Sequence, residues 1–129
     1  MKKSEKDKFI EVGEFDQKIN NLIGSNMPLQ KIYRSKGLPA HLIKRKHFYC
    51  LKHIDDIPDI IKKPDYIGIN PNESDNTIEL IKVLDKNILV GIKLNINENY
   101  LYVSTMYDIQ EAKLIRRLHS GRLIKFVDE

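Results

Sequence analysis

The chain has 129 residues, enough for one domain of common size and too few for a multidomain enzyme or a large barrel. Its 41% hydrophobic and 31% charged residues, with no tryptophan, describe a globular domain that folds in water and exclude a disordered, collagen-like or coiled-coil chain. The net charge of +4 suits a polyanionic partner without requiring one.

Residues 1–8, rich in lysine, read as a flexible basic terminus, and residues 9–129 as one domain. Residues 9–12 read as a short strand. After Gly13, the apolar residues Phe15, Ile19, Leu22 and Ile23 recur at the spacing of one helical face, with Asp16 at the start and Gly24-Ser25-Asn26 at the end. Residues 29–33 read as a second short strand. A helix over residues 39–47 follows, because Pro39 fits a first helical turn. From 48 to 62, Leu51, Ile54, Ile57, Ile60 and Ile61 predict one or two further helices, broken near Asp55-Asp56 and Pro58.

The second half differs in kind. Residues 66–69, 77–84, 88–94 and 100–106 are short β-branched and aromatic runs, separated by turns rich in Asn, Asp and Gly, which predict an antiparallel meander. A last helix over 109–118 is expected to bury Ile109, Ala112, Ile115 and Leu118. Ser120-Gly121 closes it, and residues 122–127 offer an edge strand. The expected fold is α+β, with helices packed on one face of a roughly four-stranded antiparallel sheet.

Charge is unevenly distributed. Residues 17–54 contain no acid, while Lys18, Lys31, Arg34, Lys36, Lys44, Arg45, Lys46 and Lys52 supply eight cations, with His41, His47 and His53 among them. From Asp55 to Asp85 acids dominate, and from Lys113 through Arg117, Arg122 and Lys125 the balance turns basic again. Brought together, the two basic segments would form a face that tracks a phosphate backbone. Phe48-Tyr49 and the trio Tyr100, Tyr102 and Tyr107 supply rings on which bases can stack. Period-two alternation puts Tyr100, Tyr102, Ser104 and Met106 on one face, and Leu101, Val103, Thr105 and Tyr107 on the other, core-facing side.

The lone Cys50 excludes an intramolecular disulfide and a paired-thiolate metal site, and it suits a reducing cytoplasm. Apolar runs such as 88–90 fall far short of a membrane span, and the charged start is unlike a secretory leader, so no membrane association is expected. There is no His-Glu-x-x-His and no glycine-rich phosphate loop; neither metal nor cofactor is expected. A nucleophile pair of Cys50 with His47 or His53 is conceivable, although a single cysteine in an apolar run is usually buried and inert. What remains is a set of cations, imidazoles and hydroxyls. These suit metal-free RNA cleavage, in which the substrate brings its own 2′-hydroxyl nucleophile and the protein supplies acid, base and positive charge. On the predicted helix His41 and Arg45 share a face with Lys44 beside them, and His47 lies further round.

These residues also carry a resemblance. His-Leu-Ile-Lys-Arg-Lys-His at 41–47, Lys-Pro-Asp-Tyr-Ile-Gly at 63–68, paired strands, Tyr-Val-Ser-Thr-Met-Tyr at 102–107 and a helix ending in Ser-Gly-Arg at 120–122 occur in that order. Over residues 10–125 the chain resembles the phage-type branch of the barnase/EndoU/colicin/RelE-like nucleases. The resemblance implies a metal-independent, toxin-like endoribonuclease with RNA as partner, tRNA being one candidate substrate, and it leaves room for a cognate immunity or antitoxin protein. Residues 44–47 are similar to the basic-histidine run of the colicin D type of tRNA-cleaving domain. That likeness makes His47 the first choice as general acid/base, with Lys44, Arg45 and Lys46 as phosphate ligands and His41 as second choice. Ser104 or Thr105, with Tyr107, would orient the phosphate, and Lys113, Arg117 and Arg122 would close the cleft as further phosphate ligands. No long delivery region precedes the domain, so a free-standing phage or mobile-element protein is expected. Two rival readings share the fold: a non-catalytic nucleic-acid-binding or host-interaction module, and an interaction protein that uses the acidic 55–85 stretch against a basic partner. The proposed site requires His47 on the same side of the fold as Ser104 and Thr105.

Overall fold

Capping chemistry decides the first helix. In the computed structural model, which describes residues 8–72 and 77–127, the Asp16 carboxylate accepts the Lys18 N–H at the start of α1 (Gln17–Ile23), and Gly24, left-handed at φ 67°, ends it. Met1 to Asp7 of the expected basic terminus lie outside the described residues. Around α1 stand β1 (Phe9–Glu14) and β2 (Lys31–Ser35), and α2 (Leu38–Lys44) carries Pro39 in its first turn. Residues Phe48–Asp56 form a 3₁₀ helix, a geometry that aligns Leu51, Ile54 and Ile57 at their three-residue spacing, and α3 (Ile57–Lys62) continues from it. The remaining elements are β3 (Tyr66–Ile69), β4 (Ile78–Val83), β5 (Asn87–Asn95), β6 (Tyr100–Ile109), α4 (Glu111–His119) and β7 (Leu123–Lys125).

Among the described residues the sheet has seven strands, not four, in the order β1-β2-β6-β5-β4-β3-β7. The four-strand meander is there, but β2 joins it by pairing with β6, Ile32 opposite Leu101, and brings β1 with it; β7 joins on the far side by pairing with β3. The β2–β6 pair is parallel and every other pair antiparallel, so the sheet is mixed. Local patterns show that a strand exists, whereas its partner is chosen by packing across long stretches of chain.

Both faces of the central strands are covered. Ile78–Ile81 and Asn87–Ile92 are buried at every position, as expected of strands with cover on both sides. One core joins Leu80, Val90 and Leu101 to α1, α2, the 3₁₀ helix and α3; a second, smaller core joins Ile81, Leu89, Ile109 and Leu123 to Leu114 of α4. The last helix therefore packs on the opposite face from the first three, where the sequence had suggested a single helical face. Its buried residues also differ: Leu114 inserts while Ala112 and Ile115 face solvent, because Ile109 ends β6 and the helix begins only at Glu111. Asn87 Nδ2 donates to Glu111 at 2.8 Å and fixes that start.

An irregularity in β6 matters more than any of these shifts. Gly91 pairs with Thr105 but the next residue, Ile92, pairs with Val103, so one extra residue is accommodated at Ser104. Val103 and Met106 consequently both enter the main core while Tyr107 packs on the second one. Strict alternation had placed Met106 with Tyr102 and Tyr107 with Val103; the bulge reverses both assignments.

At Gly68 the backbone of Arg122 comes so close that a Cβ would overlap the Arg122 carbonyl oxygen and press on the Leu123 side chain. Only glycine lets β7 reach β3 at this register. Gly68→Ala is expected to destabilise the fold by about 2 kcal/mol or more. Urea denaturation measures the loss, and amide exchange at residues 123–125 should accelerate more than exchange in β4 and β5.

Candidate functional site

The basic segment 41–47 is shaped by how α2 ends. The His47 N–H donates to the Leu42 carbonyl at 2.8 Å and the Lys46 N–H to the Ile43 carbonyl at 3.1 Å, with Lys46 between them at φ 61°. That is a Schellman turn with lysine where glycine is preferred, a conformation costing an L-residue roughly 1–2 kcal/mol. The turn stops the helix at Lys44, three residues earlier than periodicity suggested, and directs the chain into the 3₁₀ helix with His47 at its N-terminal boundary.

This turn lies alongside β6. His41, exposed on α2, shares an open pocket of about 440 Å³ with Ser104, Tyr100 and Tyr102. His47, half-buried, has its ring 6.2 Å from that of Tyr107. The two histidines thus meet β6 at two points, Ser104 and Tyr107, three residues or roughly 10 Å apart along the strand. Thr105 lies between them, its methyl group beside Gly91 across the bulge, and the Ser104 hydroxyl donates to the Gly91 carbonyl at 3.3 Å. Lys44, Arg45 and Lys46 are exposed, and among the described residues none has an acidic partner. By contrast Lys31 pairs with Glu11 at 3.2 Å and Lys52 with Asp85 at 3.0 Å.

The C-terminal cations are placed otherwise. Arg122 forms a bidentate pair with Glu79 on β4 through bonds of 3.0 and 3.2 Å, and Arg117 Nη1 lies 3.7 Å from the same carboxylate. Glu79 is 3% exposed, Arg117 11% and Arg122 17%, so this is a desolvated cluster inside the second face rather than a set of cations facing solvent. Lys113 projects outward from α4. The structure therefore brings His41 to Ser104 and His47 to Tyr107, with Lys44, Arg45 and Lys46 exposed in the turn between the two histidines, while the Thr105 methyl group faces Gly91, the ladder neighbour of Glu79, over which Arg117 and Arg122 lie.

Glu79 is the residue that sequence reasoning missed. It sits between Ile78 and Leu80 in an alternating strand, which reads as a solvent-facing acid. Its neighbours across the ladder are Gly68 and Gly91; the Arg122 backbone packs where a Gly68 side chain would stand, and the Thr105 and Thr77 methyl groups pack where a Gly91 side chain would. A glycine on each flanking strand is the available signal, and it appears only once the strands are paired. The rest of the acidic stretch is dispersed: Asp56 and Asp85 bracket His53 at 2.7 and 3.3 Å, and Asp65 accepts the Val83 N–H; Glu73 and Asp75 lie outside the described residues.

Cys50 is buried, and burial pushes its thiol up to about 11, so it stays protonated at neutral pH. His53 is tied to Asp56 and Asp85, which removes one half of the cysteine–histidine alternative. Among the described residues no three His, Cys, Asp or Glu side chains converge as a metal site would need, and no helix is long and apolar enough to cross a membrane.

Residues 10–116 match the family described as phage-Barnase-EndoU-ColicinE5/D-RelE like nuclease3. The chain belongs to this nuclease family. No curated protein and no solved structure matches it. The matched span contains His41 to His47 and Ser104 to Tyr107 and ends one residue before Arg117, so the grouping along β6 lies within the nuclease region and the two arginines lie beyond it.

Two substitutions separate the roles. Lys46→Gly should relieve the left-handed strain and stabilise the fold by about 1 kcal/mol, raising Tm by roughly 3–5 °C, while weakening polyanion binding and lowering its salt dependence by about one charge. Glu79→Gln leaves two poorly solvated guanidinium groups without their carboxylate and should cost about 3–5 kcal/mol, read as a fall in the urea midpoint.

Proposed function

We propose that this nuclease is a metal-independent endoribonuclease whose site lies along β6. The observation that supports it is the placement of two histidines beside hydroxyl-bearing residues of one strand, with three cations in the connecting turn that have no acidic partner among the described residues. In this reading one imidazole takes the proton from a ribose 2′-hydroxyl as its oxygen bonds to phosphorus. The other gives a proton to the departing 5′-oxygen as the P–O5′ bond breaks, leaving a 2′,3′-cyclic phosphate. His47 is the first candidate for acid/base and His41 its counterpart. Lys44, Arg45 and Lys46 offset the charge on the phosphorane, and Ser104, Thr105 and Tyr107 orient its oxygens. Arg117 and Arg122 act through Glu79 as structural support. Transfer RNA is a natural first substrate to try, and a phage-type toxin of this sort would be held in check by an immunity protein.

One observation favours the rival binding module: Arg117 and Arg122 are both held against Glu79, whose one negative charge offsets one of their two positive charges, so fewer cations face the site than the sequence suggests. Incubation with total and transfer RNA in EDTA decides between them. The expected outcome is defined cuts with cyclic-phosphate ends, slowed about 100-fold or more in His47→Ala and in His41→Ala. RNA binding without cleavage in wild type and variants alike replaces the enzyme with the module.

A further inference from the structure

The pocket beside His41 holds more than a phosphate site requires. Its walls include Phe9 of β1 and Tyr100 and Tyr102 of β6, the rings of Phe9 and Tyr100 meeting edge-on at 5.5 Å and those of Tyr100 and Tyr102 lying 5.8 Å apart. Among the described residues neither lysine nor arginine nor any acid lines it. Away from the rim of His41 and Ser104, where the phosphate belongs in the proposed reaction, the pocket therefore suits a flat, uncharged group.

Its polar atoms are partly spent, and what is left over is informative. Asn95 Nδ2 donates one hydrogen to the Tyr100 hydroxyl at 3.3 Å while its Oδ1 accepts the Glu98 N–H, which leaves one amide hydrogen. Ser35 Oγ accepts the Gly37 N–H at 2.9 Å and keeps its own hydrogen to donate. An aromatic platform edged by two spare donors fits a planar heterocycle that offers acceptors.

We propose that this pocket is a nucleobase subsite: one unpaired base of the RNA stacks on Tyr100 and Tyr102, and Asn95 and Ser35 donate to its edge. The inference rests on the endoribonuclease reading and adds a source of sequence preference to it. Guanine, through O6 and N7, and cytosine, through O2 and N3, present two adjacent acceptors, whereas adenine and uracil present an acceptor next to a donor. His41 on the rim then faces the phosphate attached to the bound nucleotide, which couples base choice to the cut position.

Calorimetric titration of the full chain with the four nucleoside 3′-monophosphates and with base-free ribose phosphate tests this. The guanine and cytosine nucleotides are expected to bind at least tenfold tighter than ribose phosphate. Tyr102→Ala should abolish that difference, since stacking on one ring is worth roughly 5- to 150-fold in affinity. Tyr102→Phe should keep it, and Asn95→Ala should retain the stacking gain but level the four bases. Ribose phosphate binding as tightly as the nucleotides, or a folded Tyr102→Ala with unchanged selectivity, overturns the subsite and leaves the endoribonuclease reading in place. Base-selective binding by a wild-type protein that cuts no RNA has the opposite meaning: it retains the subsite and removes the enzyme.

Discussion

Strand β6 is the element on which the rest of the structure depends. All of its ten residues except Ser104 pair with β5, but on its other side β2 is in register only with Leu101 and Tyr102. Beyond that point the strand is flanked by the turn after α2 and by the 3₁₀ helix. Backbone groups and side chains from Ser104 to Tyr107 are thus released from sheet neighbours on one side and given histidines instead. The bulge at Ser104 belongs to the same arrangement, since it adds the residue that lets Met106 fill the core while Thr105 and Tyr107 remain on the opposite face. A regular strand of the same sequence would bury the wrong side chains.

The two groups of cations show how burial changes the meaning of a charge. Lys44, Arg45 and Lys46 stay in water with no acidic partner among the described residues, so their field reaches outward and is screened by salt. Arg117 and Arg122 are drawn against a carboxylate with almost no solvent contact, where Coulomb attraction offsets desolvation and the one carboxylate balances one of the two guanidinium charges. Gly68 permits this by letting the Arg122 backbone approach β3 beside Glu79. The result links the C-terminal strand and helix to the centre of the sheet, so the same contact that removes two cations from the surface anchors the last elements of the chain.

Strain adds a third constraint. Lys46 holds a left-handed conformation that glycine would adopt without cost, and the hydrogen bonds of His47 and Lys46 to the preceding helix keep it there. Stability alone would favour glycine; a cation at the tip of the turn next to His47 is what the strained residue provides.

Local chemistry wrote much of this protein in its sequence. The Asp16 and Gly24 boundaries, the proline at the start of α2, the 66–69 strand and the four-strand order of the central meander follow from caps, turn residues and periodicity, all of which act over a few residues. The histidines, hydroxyls and cations along β6 were legible for the same reason, as side chains whose chemistry declares itself wherever they stand. Pairing, register and burial were decided only in three dimensions. The parallel docking of β2, the bulge that turns Met106 inward, the move of α4 to the second face and the burial of Glu79 between two glycines each depend on residues far beyond one helical turn or hairpin loop of each other in the chain, whose packing free energy is settled only when the whole sheet has closed.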